Sequence, residues 1–120
     1  MNELLKKSAA EQRKALLNKE VSATELVNAA YKRIEEVEDK VKSFNSLTKE
    51  TALETAKKVD EKISRNEELP LLAGIPLVLK DNMNLVGSKT TASSKILENF
   101  VSPYNATVTE KLLNNMVPII

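Results

Sequence analysis

An α/β fold is what this 120-residue sequence predicts, on three observations. Apolar residues recur at helical spacing through the first half of the chain. A compact apolar run, Ile75 to Leu79 in "GIPLVLKDN", then has the length and density of a buried strand. After one more helical pattern the chain ends on "VPII", which reads as the opening of another buried strand. Strand–helix–strand rhythm builds a sheet whose faces are covered by helices. Residues 1–120 are expected to form the N-terminal part of a single domain, 1–68 mostly helical with a short strand and 69–120 running strand–loop–helix–strand. Because the last strand has only begun at Ile120, the sheet reads as truncated.

The elements follow in order. A short helix is expected around Ala9 to Leu17. The next start is sharper: in "VSATEL", Ser22 is an N-cap, Glu25 completes a capping box, and Val21 with Leu26 forms a hydrophobic staple. Leu26, Val27, Ala30, Tyr31, Ile34 and Val37 then share one face, giving a helix over roughly 23–38. "VKSFNSL" breaks that phase at Val41, Phe44 and Leu47 and reads as a short strand. Thr48 caps a third helix to about residue 64, with Ala52, Ala56, Val59 and Ile63 as its buried stripe. Past the polar "SRNEELP", "IPLVLK" is the buried strand and "DNMNLVG" the turn leaving it. "SSKILENF" suggests a helical turn. The last helix is capped by Asn105 or by a box from Thr107 to Glu110, with Val108, Leu112 and Met116 facing inward.

Composition narrows the chemistry. Apolar residues are 42% and charged residues 29%, the balance of a globular chain. Lys and Arg total 18 against 17 acids, with no basic stripe suited to nucleic acid. Cysteine and histidine are both absent, which removes disulfides, thiolate nucleophiles, imidazole bases and the usual zinc cages. "MNELLKKSAA" lacks the apolar run of a signal peptide, and "LPLLAGIPLVL" is too short to span a bilayer. A cytoplasmic location without membrane attachment is expected.

Lys80 is the residue that raises a functional question. Alternation along "IPLVLKD" puts it on the face of Val78, opposite Leu77 and Leu79. Ligands of open α/β sheets bind just beyond the carboxyl ends of strands, where Lys80 stands. One reading is structural: the lysine snorkels to solvent and Asp81 begins an Asx-type turn. The other is catalytic. Burial against apolar neighbours lowers an ammonium pKa from about 10.4 by as much as ~3–5 units. A neutral amine can then serve a hydroxyl nucleophile as its base. This reading requires the Asp81 carboxylate to point away or to be occupied by backbone donors.

The stretch "LLAGIPLVLKDNMNLVGSKTTASSKILENF", followed by "VSPYNATVTEKL", resembles the N-terminal region of the amidase signature family, and within it the glutamyl-tRNA(Gln) amidotransferase A subunits. "SATELVNAAYKRIEEVEDKVKSFNSL" suits the same family. The resemblance implies N-terminal helices packed on the start of the mixed sheet of the amidase signature fold. It also implies a Ser–cis-Ser–Lys triad in which Lys80 is the lysine, with Asp81 and Asn82 as supporting residues. The two serines of that triad normally lie in a Gly/Ser-rich segment. With only Gly74 and Gly87 as glycines, none of the chain matches it. Ser93 and Ser94 correspond to the loop after the lysine strand, so the nucleophile and the cis-serine are not expected here.

The implied reaction hydrolyses glutamine and passes ammonia to a partner subunit, which uses ATP and magnesium to convert Glu-tRNA(Gln) to Gln-tRNA(Gln). This chain is expected to bind no metal or cofactor itself, to be inactive alone, to join amidotransferase B and C subunits, and to meet tRNA only through the partner. Two alternatives stand beside it. One is another amidase-signature hydrolase acting on simple carboxamides. The other is a non-catalytic module docking a partner through Leu26, Ala30 and Ile34.

Overall fold

The computed structural model describes residues 3–120. A 3₁₀ turn, Glu3–Lys6, leads into four helices: α1 (Ala9–Leu17), α2 (Ala23–Val41), α3 (Lys49–Ser64) and α4 (Thr107–Asn114). The N-termini of α1 and α2 are closed by capping boxes. Glu11 N–H donates to Ser8 Oγ at 3.3 Å while Ser8 N–H donates to Glu11 Oε2 at 2.8 Å. In α2 the same exchange joins Ser22 and Glu25 at 3.0 and 2.8 Å. Asp60 of α3 completes the α2 start, accepting from Ala23 N–H at 2.7 Å and Thr24 N–H at 3.1 Å. These donors are the ones a helix start leaves without intrahelical partners.

The apolar stripes predicted for α2 and α3 face each other. Ala23, Leu26, Val27 and Tyr31 are buried against Ala52, Ala56 and Val59, with Ala30, Ile34 and Ile63 packed at the margin. Leu16 of α1, Leu69, Ala73, Ile75 and Ile120 close the same core. Leu26, Ala30 and Ile34 are thus engaged within the chain. Arg13 fastens the segment after α3, donating from Nη1 to the carbonyls of Pro70 and Leu71, both at 2.8 Å.

Gly74 sits where the three helices converge. A Cβ there would lie 3.0 Å from Ala23 Cβ, 3.0 Å from Val59 Cγ1 and 3.3 Å from Leu16 Cδ1, and the residue has φ +77°. Its N–H donates to the Met116 carbonyl at 3.0 Å, which starts the approach of residues 75–79 to the C-terminal segment.

Several expectations change. "VKSFNSL" forms no strand. Helix α2 continues through Val41, and Lys42, at φ 52°, turns the chain back with its N–H on the Glu38 carbonyl at 2.8 Å. The Glu38 carboxylate then accepts from Phe44 N–H at 2.7 Å and Ser43 Oγ at 2.8 Å, so this stretch is a clasp on the helix end. Thr48 occupies the N-cap position of α3, but its hydroxyl donates to the Ile119 carbonyl at 2.8 Å and makes no cap bond. Neither expected cap serves α4: Ala106 is its N-cap, and Asn105 Oδ1 instead accepts from Val86 N–H at 2.7 Å. Val108 is 43% exposed, while Thr109 is buried and Leu112 and Met116 are half-buried. Leu112 and Met116 thus keep the expected inward positions, and Thr109 takes the place expected of Val108.

Among the described residues the sheet is represented by two isolated bridges, parallel at Leu77–Ile119 and antiparallel at Lys89–Val101. Around the first, Leu77 N–H donates to the Pro118 carbonyl and Ile120 N–H to the Leu77 carbonyl, both at 3.0 Å. Pro76 and Pro118 have no N–H to extend the ladder. "SSKILENF" contains the expected helical turn as a 3₁₀ turn at Lys95–Leu97.

Each helix ends in a left-handed residue that is not glycine: Lys19, Lys42, Asn66 and Met116 have φ between 52° and 58°. After α1, α3 and α4 paired bonds close the end. Those after α1 run from Lys19 N–H to the Leu16 carbonyl at 3.0 Å and from Glu20 N–H to the Ala15 carbonyl at 2.9 Å.

Three outcomes follow from this packing. Gly74→Ala must absorb both left-handed strain and overpacking, and should lower unfolding free energy by about 2–5 kcal/mol, read as a lower urea midpoint. Lys42→Gly relieves left-handed strain at an exposed helix end and should raise stability by at most about 1 kcal/mol, the gain being reduced by a freer unfolded chain. The third is pH-dependent. Hydrogen bonds from the Ser8 hydroxyl and N–H hold the Glu11 carboxyl below the usual glutamate range, as those from Ser22 N–H and hydroxyl do for Glu25. A carboxyl with a folded pKa below its unfolded one contributes stability above the unfolded value and loses it as pH falls through the folded one. Urea stability should therefore decline below about pH 4.3, and the double variant Glu11→Gln, Glu25→Gln should decline less steeply.

Candidate active site

The chain segments that follow α2, that end at Lys80 and that run from Leu85 to Ser93 converge beside the Leu77–Ile119 bridge. They enclose a cleft of about 750 Å³ whose lining includes Asn45, Lys80, Asp81, Lys89, Ser93 and Ile119. Its floor comes from the C-terminal segment, where Val117, Ile119 and Ile120 are buried. The Asn45 segment is placed by the Glu38 clasp and by Thr48 on Ile119.

Lys80 stands at the edge of this cleft, directly after Leu79, and its carbonyl accepts from Met83 N–H at 3.0 Å to close a turn. The side chain is exposed, not dry. The reason is visible in its neighbour on the same face, Val78, which is 54% exposed. No apolar layer covers that face among the described residues, and such a layer is what would strip water from the amine. Asn82 is exposed in the turn and lines the same cleft.

Asp81 is fully engaged. Its carboxylate accepts from Thr91 N–H at 2.8 Å, from Asn45 Nδ2 at 2.8 Å and from the Thr91 hydroxyl. Its carbonyl accepts from Ala92 N–H at 2.7 Å. Partial burial pushes the carboxyl upward, but the bonds from Thr91, Asn45 and Ser93 N–H together outweigh this and hold it below the usual aspartate range. Its acceptor oxygens are thus occupied by two side chains as well as by backbone, and the carboxylate stays ionised.

Thr91 and Asn45 are the residues that sequence reasoning did not single out. Thr91 opens a tight turn in which Ala92 and Ser93 take φ 48° and 58°. A left-handed non-glycine residue costs about 1–3 kcal/mol, and here the bonds to Asp81, together with Ser93 N–H on Thr91 Oγ1 at 3.2 Å, hold both. The "TTASS" composition signals a polar turn but not its anchor. Ser93 lines the cleft and is exposed, whereas Ser94 donates its N–H to the Thr91 carbonyl at 2.8 Å as part of the turn.

A second cluster shapes the far wall. Ser102, buried, exchanges backbone bonds with Gly87 and Ser88 at 3.1 and 3.0 Å, and its hydroxyl accepts from Asn84 Nδ2 at 3.1 Å. Among the described residues no three Asp, Glu, His or Cys side chains converge, so none is assigned to a magnesium ion or another metal. No helix among them is long and apolar enough to cross a membrane.

Comparison with known proteins places this geometry. The family model described as Amidase matches residues 25–120. The chain is 52% identical over 111 residues to the A subunit of a glutamyl-tRNA(Gln) amidotransferase from Fusobacterium nucleatum, covering 92% of this chain and 23% of that protein. It is 53% identical over 105 residues to the protein of the same name from Rippkaea orientalis, covering 88% and 22%. Among solved structures, an amidase family protein from Bacillus anthracis superposes with a TM-score of 0.86 at 26% identity, over 98% of this chain and 24% of that one. The chain thus spans under a quarter of the length of the relatives it matches. Nearly all of α2, helices α3 and α4, the cleft and the lysine-bearing segment fall within the matched residues 25–120, and the chain belongs to the amidase signature family.

Proposed function

We propose that these residues form the N-terminal part of the A subunit of a glutamine-dependent amidotransferase and that Lys80 supplies the proton-accepting amine of its amide hydrolysis. The observation that carries this reading is Lys80 at the edge of a cleft with the adjacent Asp81 carboxylate drawn off onto Thr91 and Asn45. Identity of 52% to a protein of that name, against 26% to a general amidase family protein, supports glutamine over simple carboxamides as substrate.

In this reading the amine takes a proton from a serine supplied by a part of the polypeptide that these residues do not include. That serine in turn deprotonates a second serine, which attacks the side-chain amide of glutamine. The proton held by the lysine returns through the first serine to the amide nitrogen, the tetrahedral intermediate expels ammonia, and water clears the acyl-enzyme. Covering the Val78 face with the remaining chain would remove water from Lys80 and favour its neutral form. The ammonia then serves a partner subunit that uses ATP and magnesium to amidate Glu-tRNA(Gln), in a cytoplasmic assembly with B and C subunits. Tyr31, Leu26 and the rest of the α2 face stay within the core and contribute scaffold, not contact with tRNA.

The test uses a full-length A subunit containing these 120 residues, assembled with its partners and assayed for ammonia release from glutamine. Lys80→Ala should lower kcat by about 10²–10⁴-fold, the range expected for losing a general base. Undiminished release by that variant would end the assignment, and a preference for small aliphatic amides over glutamine would favour the simple-carboxamide hydrolase.

A further inference from the structure

Asp81 has no part in the proton transfers proposed above, yet it adjoins the lysine that does. A side chain free to rotate at that position would leave the adjacent turn, and with it the lysine, loosely placed. Every acceptor of Asp81 that the structure records is instead directed at other segments. Thr91 reaches the carboxylate with both its N–H and its hydroxyl, and Asn45 reaches it from the segment after α2. Successive backbone N–H groups in a turn of this kind form a concavity suited to an anion. Here the acceptors are part of the protein itself: Thr91 N–H donates to the Asp81 carboxylate at 2.8 Å and Ala92 N–H to the Asp81 carbonyl at 2.7 Å. Asn45 is in turn held by the Glu38 clasp on Phe44 N–H at 2.7 Å, which connects the turn to the end of α2.

We propose that Asn45, Asp81 and Thr91 form a latch that sets the position of Lys80 and of the Ala92–Ser93 wall of the cleft for amide hydrolysis. Asp81 and Thr91 are positioning residues in it, acting through Lys80 and through the turn. Ala92 and Ser93 keep their left-handed conformations because the latch supplies the bonds that hold them. This inference rests on the assignment of Lys80 made above.

Thr91 separates hydroxyl chemistry from shape. Valine preserves its branched outline and removes the hydroxyl, whereas serine keeps the hydroxyl and loses the methyl. In the full-length A subunit, Thr91→Val should lower kcat for glutamine hydrolysis by about tenfold or more with KM little changed, because the loss falls on the chemical step. Thr91→Ser should recover most of it. Activity in the valine variant equal to the parent, or an equal loss in both variants, overturns the latch.

A second measurement reads the latch without catalysis. In this chain, Asp81→Ala should speed amide hydrogen exchange at Thr91 and Ser93 by about tenfold or more while Val27 in α2 stays protected. Unchanged exchange at Thr91 overturns the proposal. Full activity of Lys80→Ala would remove the catalytic assignment but leave the exchange result standing, so the two failures are told apart.

Discussion

Three helices leave space for one hydrogen atom at Gly74, and much of the remaining architecture depends on that contact. The position would bring a Cβ within 3.0 Å of both α2 and α3, so the chain can cross the helical layer only as bare backbone. Crossing there lets its N–H meet the Met116 carbonyl, and the segment that follows is then paired with residues 118–120. The lysine at the end of that segment therefore takes its place from helix packing some distance behind it. Left-handed φ adds a second reason for glycine, since the turn and the close approach coincide in one residue.

A single device recurs around this frame: a carboxylate receives backbone N–H groups that secondary structure leaves without partners. Glu11 and Glu25 do so at their own helix starts, Asp60 does so for the start of a neighbouring helix, and Glu38 does so for the residues beyond a helix end. Asp81 applies the same chemistry to a loop turn at the cleft. Like Asp60, it also takes side-chain donors from other segments, here Asn45 and Thr91. The hydrogen bonds it accepts define the cleft wall beside the lysine.

The helices were legible because periodicity and capping chemistry are local. Ser22 and Glu25 mark the α2 start within four residues of sequence, and the stripe from Ala52 to Val59 marks the buried face of α3. Helix ends were less legible, since the usual glycine signal is missing: Lys19, Lys42, Asn66 and Met116 take the left-handed position. Lysine in that role carries no sequence signature, which is why α2 was expected to stop short and Val41 to Leu47 to extend. The Lys80 site was legible as a strand-end lysine. The environment of that lysine was not, because exposure of Val78 depends on what lies over it, and alternation along a strand says only which residues share a face.

Local sequence alone determined the helix count in the described chain, the starts of α1 and α2, and the placement of one lysine beyond an apolar segment. Family membership, too, was carried by contiguous motifs from Gly74 to Val108, and it was established by a match over residues 25–120. Tertiary structure decided the rest: that Thr48 bonds Ile119 and not its own helix, that Leu77 pairs with Ile119 beside a proline that has no N–H to give, and that Asp81 belongs to Thr91 and Asn45. Hydrogen-bond partners of a polar side chain are chosen by whichever donors folding brings within reach, and nothing in the adjacent residues specifies them.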